Sequence, residues 1–91
     1  MEQPIQKRIF EHMQRSRRSL DFSNAAEVMF NLCHHFNDKI KPKVDLSELP
    51  LQDVHVIQNL VDIQKQLYYL AALAEIDLDH ATATNLRIIE R

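Results

Sequence analysis

Residues 50–75 read PLQDVHVIQNLVDIQKQLYYLAALAE and form the longest stretch of helical periodicity in the chain. Apolar side chains recur every three or four positions from Val54 to Ala74, which is the spacing of one face of an α-helix. Pro50 suits a first helical turn, where its missing N–H leaves no intrahelical bond unmade. The stretch therefore predicts one long helix over residues 50–75, against which shorter helices can pack.

Three more segments show helical periodicity, over residues 4–19, 24–41 and 77–91. Asn24 precedes Glu27 by the spacing of a capping box, with Ser23 as a competing N-cap, and Asp77 is a suitable N-cap for the last helix. Pro42 is expected to follow the end of the second helix, because proline is poorly tolerated inside one. The sequence predicts an all-α, four-helix bundle-like single domain over residues 1–91. The leucines and tyrosines of its longest helix favour completion by dimerisation.

The composition excludes sites that depend on glycine. The chain has 91 residues and no glycine, with 45% hydrophobic and 26% charged residues. Walker-type loops and dinucleotide fingerprints need glycine, because only glycine lets backbone N–H groups approach a phosphate closely. An anion site in this chain must therefore be built from side chains on helices.

Charge, cysteine content and hydropathy predict a cytoplasmic protein. The net charge of −2 gives no global attraction to nucleic acid or to anionic lipid, so neither is an expected partner. Cys33 is the single cysteine, which allows no intrachain disulfide and fits a reducing compartment. The longest apolar run, residues 70–74, is far below the roughly 20 residues that span a bilayer, and no secretory signal is visible.

Polar side chains follow two of the predicted helices at helical spacing. The second helix carries Glu27, Asn31, His34 and Asp38, and the third carries His55, Asn59, Asp62, Lys65 and Gln66. If these two faces meet, they form a polar cleft, whereas if they point outward they are solvated. The second outcome is the more common one for any single residue.

The spacings argue against a zinc site or a reactive thiol. His34 and His35 are neighbours and point to different sides of a helix, and no CxxC or HxxxH pair occurs. Cys33 falls on the apolar stripe of the second helix, so we interpret it as a small core residue. No catalytic residue is assigned.

A basic cluster at the end of the first helix has two interpretations. Arg15, Arg17 and Arg18 can interact with the negative end of the helix dipole. The same residues can also form a phosphate-binding patch, and Lys65 is a further candidate for contact with an anionic ligand. The sequence leaves both interpretations open.

Residues 62–86, DIQKQLYYLAALAEIDLDHATATNL, resemble the MazG-like all-α nucleoside triphosphate pyrophosphohydrolases. In that family an acidic ExxD pair precedes a Leu-Tyr-Tyr-Leu-like stretch and then an Ile-Asp-Leu helix start. Residues 67–70 and 76–79 occupy the matching places, and the order of four helices matches across nearly the whole chain. The resemblance implies nucleotide substrates, magnesium and homodimers.

The family's metal-binding acids are mostly replaced in this chain. Its EExxE motif falls on Glu27-Val28-Met29-Phe30-Asn31, and its ExxD motif falls on Asp62-Ile63-Gln64-Lys65. Glu27 and Asp62 are therefore the implied metal ligands, whereas Asn31 and Lys65 occupy the other ligand places. Magnesium prefers oxygen ligands, and Lys65 puts a fixed positive charge where the cation should lie. Lys65 could instead pair with Glu27 or Asp62.

Three interpretations follow. The first is a degenerate MazG-like protein without an assured cofactor, a catalytically inactive binding or regulatory module with a nucleotide or protein partner. The second is an active, magnesium-dependent pyrophosphohydrolase with a rearranged site that uses Glu27, Asp38 and Asp62. The third is an unrelated small helical partner-binding protein of phage or mobile-element type. These interpretations differ in whether Glu27 and Asp62 lie together.

Overall fold

The structure, a computed structural model, describes residues 5–16 and 21–90, and its regular elements are helical. The helices are α1 (Ile5–Ser16), α2 (Phe22–His35), a π-helical segment (Phe36–Ile40), α3 (Lys41–Asp45), α4 (Val54–Leu73) and α5 (Leu78–Ile89). The predicted all-α class is confirmed. In the described ranges, each helix is too short or too polar to span a bilayer.

The core forms where α1 and α2 pack against α4. It consists of Met13, Ala25 and Tyr69, one residue from each helix. The Phe10 ring lies 5.8 Å from the Tyr69 ring, a distance at which two aromatic rings attract each other. Ala25 is fully buried, and its carbonyl accepts a 2.8 Å hydrogen bond from Gln66 Nε2. α4 is therefore the central helix.

α2 begins earlier than the capping-box pattern predicts. The Asp21 carboxylate accepts a 2.8 Å hydrogen bond from the Asn24 N–H, so Asp21 is the N-cap and the helix starts at Phe22. The predicted start at Asn24 is wrong because an aspartate three residues earlier already satisfies a free N–H of the first turn.

The helical course also continues through Pro42, contrary to the predicted helix end at residue 41. The Lys41 N–H donates to the Phe36 carbonyl five residues earlier, which is a π-type hydrogen bond. This widened turn allows α3 to begin at Lys41, and Pro42 then lies in a first turn. A proline there removes no hydrogen bond that the helix needs. The segment from Phe22 to Asp45 is consequently helical throughout.

α4 starts at Val54 rather than at Pro50, which lies in the preceding loop. The Asp53 carboxylate caps the helix, accepting hydrogen bonds from the His55 N–H at 2.8 Å and the Val56 N–H at 3.4 Å. The bond from His55 is the main reason that the pKa of Asp53 lies below its usual value. The Leu49–Pro50 peptide bond is cis.

α4 ends in a left-handed turn at Glu75, two residues after the last helical residue. Glu75 has φ 57°, and its N–H donates to the Ala72 carbonyl at 3.0 Å. The Ile76 N–H reaches back to the Ala71 carbonyl at 2.8 Å, which completes a Schellman motif. Glycine is the usual residue at this position, and a side chain there costs about 1–2 kcal/mol.

α5 begins where the sequence predicts. The Asp77 carboxylate accepts a 3.0 Å hydrogen bond from the His80 N–H, so Asp77 is confirmed as the N-cap. None of the residues in α5 is buried. The helix therefore projects from the core formed by α1, α2 and α4.

Two polar side chains hold the start of α5 to the core. Gln6 donates to the Ile76 carbonyl at 2.6 Å and accepts from the Leu78 N–H at 2.9 Å. The Tyr68 hydroxyl donates to an Asp79 carboxylate oxygen at 2.7 Å, and this bond raises the pKa of Tyr68. These contacts set the direction of α5 without burying its apolar residues.

We predict that Glu75→Gly stabilises the protein by about 0.5–1 kcal/mol in urea unfolding. Glycine removes the steric cost of the left-handed conformation, and part of that gain is offset by the greater freedom of glycine in the unfolded chain. Glu75→Ala is the control, since alanine keeps the Cβ atom and should give no such gain. A Glu75→Gly variant that is less stable than wild type would contradict the left-handed turn.

Candidate functional site

A groove runs along one side of α4, where three cavities adjoin. Their volumes are about 620 Å³ between α1 and α4, about 200 Å³ between α1, α2 and α4, and about 390 Å³ between α4 and residues 32–43. His12 and Lys65 line both the first and the second cavity. Leu32 and Asp62 line both the second and the third. Because neighbouring cavities share these lining residues, the three are grouped here under one name, the α4 groove.

Among the charged residues that line the α4 groove, cations outnumber carboxylates. Five lysine and arginine side chains line it, against two carboxylates. The cations are Arg8, Arg15, Lys39, Lys43 and Lys65, and the carboxylates are Glu11 and Asp62. The whole chain has a net charge of −2, so the groove is opposite in sign to the average surface. A concave surface with one sign of charge concentrates ligands of the other sign.

The polar face predicted on the third helix lines the groove, but the one predicted on the second helix does not. His55, Asn59, Asp62, Lys65 and Gln66 all line the second or third cavity. Glu27, Asn31, His34 and Asp38 are exposed and line none of the three cavities. His34 Nε2 instead lies 3.0 Å from an Asp38 carboxylate oxygen on the outer surface. The α4 groove therefore includes the predicted polar face of α4 but not the predicted polar face of α2.

The other wall of the third cavity contains three basic residues that sequence reasoning missed as a set. His35, Lys39 and Lys43 follow one another at intervals of four residues and line the same cavity. The helix predicted to end at residue 41 placed Lys43 in a loop, which obscured this spacing. The repeated interval of four is the signal that could have identified them.

Glu27 and Asp62, the implied metal ligands, do not line a common cavity. Asp62 is half-buried and accepts a 2.9 Å hydrogen bond from Gln58 Nε2. Glu27 is exposed and lines neither cavity that Asp62 lines. Across residues 5–16 and 21–90, no group of three or more His, Cys, Asp or Glu side chains could hold a metal ion. Asp62 shares the second cavity with Lys65, and a lysine there opposes a divalent cation.

Lys65 does not replace the metal by pairing with an acid. It is half-buried between the first and second cavities, and it forms no ion pair with Glu27 or Asp62, which the structure also describes. The suggested pairing is therefore wrong. The Lys65 ammonium group is instead available to a ligand in the groove.

The structure bears differently on the predicted basic cluster of α1 and on Cys33. Arg15 lines the first cavity, whereas Arg17 and Arg18 lie outside the described residues. Cys33 is exposed, and its thiol lies 3.7 Å from Met29 Sδ. The interpretation of Cys33 as a core residue is wrong, because Val28 and Leu32 face the groove and Cys33 lies one residue beyond that face.

One buried polar atom in the third cavity has no partner. The Asn59 side chain is 6% exposed, and its Oδ1 atom accepts no hydrogen bond. Most buried polar atoms in proteins are hydrogen-bonded, and leaving one unpaired is destabilising. The oxygen is closed to solvent, so it is an unpaired atom of the protein interior beside the groove.

Comparison with known proteins finds no match to this chain among family models, curated proteins or solved structures.

We predict that Lys65→Met leaves the free energy of unfolding within about 0.5 kcal/mol of wild type. Methionine keeps an apolar stem of similar length, and no acid loses a partner. A buried ion pair would instead cost about 3–5 kcal/mol when one partner is removed. The neighbouring Gln66→Ala is the comparison, with an expected loss of about 1–3 kcal/mol, because the Ala25 contact is buried. Urea unfolding of both variants measures these changes. A decrease of more than about 1 kcal/mol in the free energy of unfolding for Lys65→Met would contradict the conclusion that Lys65 has no ion-pair partner.

Proposed function

We propose that the chain is a catalytically inactive helical module, of MazG-like type, that binds a phosphate-bearing ligand in the α4 groove without a metal ion. The observation that carries this proposal is the excess of lysine and arginine over carboxylate along the groove. In a metal-dependent hydrolase the acids hold the cation, and the cation neutralises the phosphates. Here the cationic side chains can neutralise the ligand directly.

The positions of these cations suit an extended anion. Arg8, Arg15 and Lys65 lie at one end of the groove, and Lys39 and Lys43 lie at the other. Lysine and arginine form charge-assisted hydrogen bonds to phosphate oxygens, which are shorter and stronger than neutral ones. Because the residues are carried on helices, binding does not require a glycine loop.

The arrangement of the acids favours binding over hydrolysis. The rearranged active site would need Glu27, Asp38 and Asp62 to act together on one metal-bound ligand. Only Asp62 lines the groove, and Asp38 faces His34 on the outer surface. The active-enzyme alternative therefore has less support, and no catalytic residue is proposed.

We predict that pyrophosphate raises the Tm in EDTA, with no requirement for Mg²⁺. Ligand binding stabilises the folded state by RT ln(1 + [L]/Kd), so even a weak ligand should register at millimolar concentration. Lys65→Met should reduce the shift, because it removes a cation shared by two cavities. Lys41→Gln is the matched control, since Lys41 is exposed and lines none of the three cavities.

A parallel assay should detect no pyrophosphate release from nucleoside triphosphates with Mg²⁺ or Mn²⁺. Metal-dependent turnover that Asp62→Asn abolishes would establish the enzyme alternative instead. A pyrophosphate shift that appears only with Mg²⁺ would also contradict metal-free binding.

The partner of the apolar surface is proposed to be a second copy of the chain. The accessible surface is 7322 Å², whereas a folded chain of this mass exposes about 5,500 Å². The radius of gyration is 15.2 Å, against about 12 Å for a compact domain of this length. An excess of about 1,800 Å² on each of two chains falls in the range of obligate homodimers.

The exposed apolar residues proposed for this interface lie on α4 and α5, although others, such as Phe30 and Leu46, lie elsewhere. Ile57, Leu60 and Leu67 line a shallow depression of about 470 Å³ on the outer side of α4, away from the α4 groove. Leu86, Ile88 and Ile89 lie exposed near the end of α5, which buries none of its own residues. Docking of these surfaces between two chains would cover the excess area. If the chain is instead an unrelated partner-binding protein, the third interpretation of the sequence, its partner would bind this same apolar surface.

We predict that the wild-type chain is a dimer by light scattering and that Leu60→Glu converts it to a monomer. A charge introduced into an apolar interface must be desolvated without a partner, which weakens association strongly. Gln52→Glu adds the same charge at an exposed loop position and should leave the dimer intact. A wild-type monomer at high micromolar concentration would contradict the second copy and favour a different partner.

A further inference from the structure

α5 has an uncharged face that its own chain leaves exposed. Successive residues of a helix are about 100° apart around its axis, which places Leu78, Asn85 and Ile89 within about 40° of one another. Leu86 and Ile88 flank this line, and the face that these five residues form is here called the uncharged face. The ionisable residues of the helix lie on its other side and are Asp79, His80 and Arg87. None of the residues of α5 is buried, so the uncharged face has no cover within the chain.

A helix of this length and composition needs its apolar side covered. α5 has 12 residues, and an isolated helix of about 12–15 residues or fewer is marginal in water. Its sequence, LDHATATNLRII, is rich in threonine, isoleucine and asparagine, which are weaker helix formers than alanine or leucine. In proteins most helical stability comes from the packing of an amphipathic face. The uncharged face is therefore expected to pack against another surface.

The contacts at the start of α5 keep this face away from the core of its own chain. Gln6 bonds to the Ile76 carbonyl and to the Leu78 N–H, and the Tyr68 hydroxyl bonds to Asp79. These bonds fix the direction in which α5 leaves the end of α4. In that direction its residues stay unburied, so a covering surface must come from another chain.

The outer side of α4 has a surface that suits the uncharged face. Ile57, Leu60 and Leu67 are each about half exposed and line the depression of about 470 Å³, here called the outer depression. Its other described lining residues are also uncharged and are Val61, Ile63 and Gln64. The centres of protein interfaces are depleted of charged residues. The lengths also agree, because Ile57 to Leu67 spans about 15 Å of helix and Leu78 to Ile89 about 17 Å.

We propose that two copies of the chain exchange α5, so that the uncharged face of each α5 lies in the outer depression of the other copy. The two contacts are then equivalent, as the twofold symmetry of a homodimer requires. This rests on the second copy proposed above and names the elements that meet. Each chain contributes both a helix face and a depression, so the exchange covers apolar residues of α4 and α5 together. The helical state of α5 consequently depends on the dimer.

Crosslinking of two single-cysteine variants tests which elements meet. In a Cys33→Ser background, Gln64→Cys places a thiol in the outer depression and Asn85→Cys places one on the uncharged face. Both changes replace an exposed polar residue and keep every apolar one. A short bis-maleimide should link the two variants when they are refolded together, and it should link neither variant to itself.

Every other crosslinking pattern overturns the exchange. Gln64→Cys linked to itself would indicate that α4 pairs with α4, and Asn85→Cys linked to itself would indicate that α5 pairs with α5. The absence of a link in the mixture would show that the two surfaces do not meet.

Hydrogen exchange gives a second measurement that does not depend on cysteine. Leu60→Glu changes α4 only, yet it should speed the exchange of the amides of residues 82–89, because α5 loses its covering surface. Leu86→Glu should abolish the dimer, whereas Thr84→Glu adds the same charge on the other side of α5 and should leave the dimer intact. Unchanged exchange in α5 of the Leu60→Glu variant would overturn the proposal.

The outcomes separate this inference from the proposal on which it rests. If the wild-type chain is a dimer by light scattering and the mixed variants do not link, the second copy stands but α5 is not exchanged. If the wild-type chain is a monomer, the second copy itself fails.

Discussion

The buried hydrogen bond from Gln66 to the Ala25 carbonyl fixes the geometry on which the groove depends. Ala25 is fully buried, and its small side chain lets α2 lie close against α4. The bond crosses 41 positions of sequence and sets the rotation of both helices. With Gln66 and Tyr69 turned inward, Asp62 and Lys65 lie beside the core, in the second cavity. The hydrogen bond that holds α2 against α4 in the core therefore also determines which residues of α4 line the groove.

The absence of glycine gives this arrangement its chemical character. Backbone N–H groups cannot be brought to a phosphate by a glycine loop, so any anion must be held by side chains. The helices supply such side chains on both walls, from Arg8 and Lys65 to Lys39 and Lys43. The same absence has a cost at the end of α4, where Glu75 adopts the left-handed conformation that suits glycine.

Periodicity was sufficient to predict the central helix, the all-α class and the polar wall that α4 contributes. It could not predict the π-helical segment, because a turn closed by an i to i+5 bond leaves no distinct apolar spacing. Periodicity also placed Cys33 on the packed face of α2, where the structure has it exposed. Successive residues of a helix are about 100° apart around its axis, so Cys33 points away from the direction of its neighbour Leu32. Which face of α2 packs depends on the buried hydrogen bond to the Ala25 carbonyl, a tertiary contact that periodicity does not encode.

The central claim is that the groove binds anions through its own cations and not through a metal. A ¹⁵N-edited NMR titration with pyrophosphate in EDTA tests it most directly, because each amide reports its own surroundings. If the groove binds pyrophosphate directly, the chemical-shift changes cluster at residues that line the α4 groove, around Arg8, Lys65 and Lys39. Shifts that appear only after Mg²⁺ is added, and that centre on Glu27 and Asp62, would contradict it.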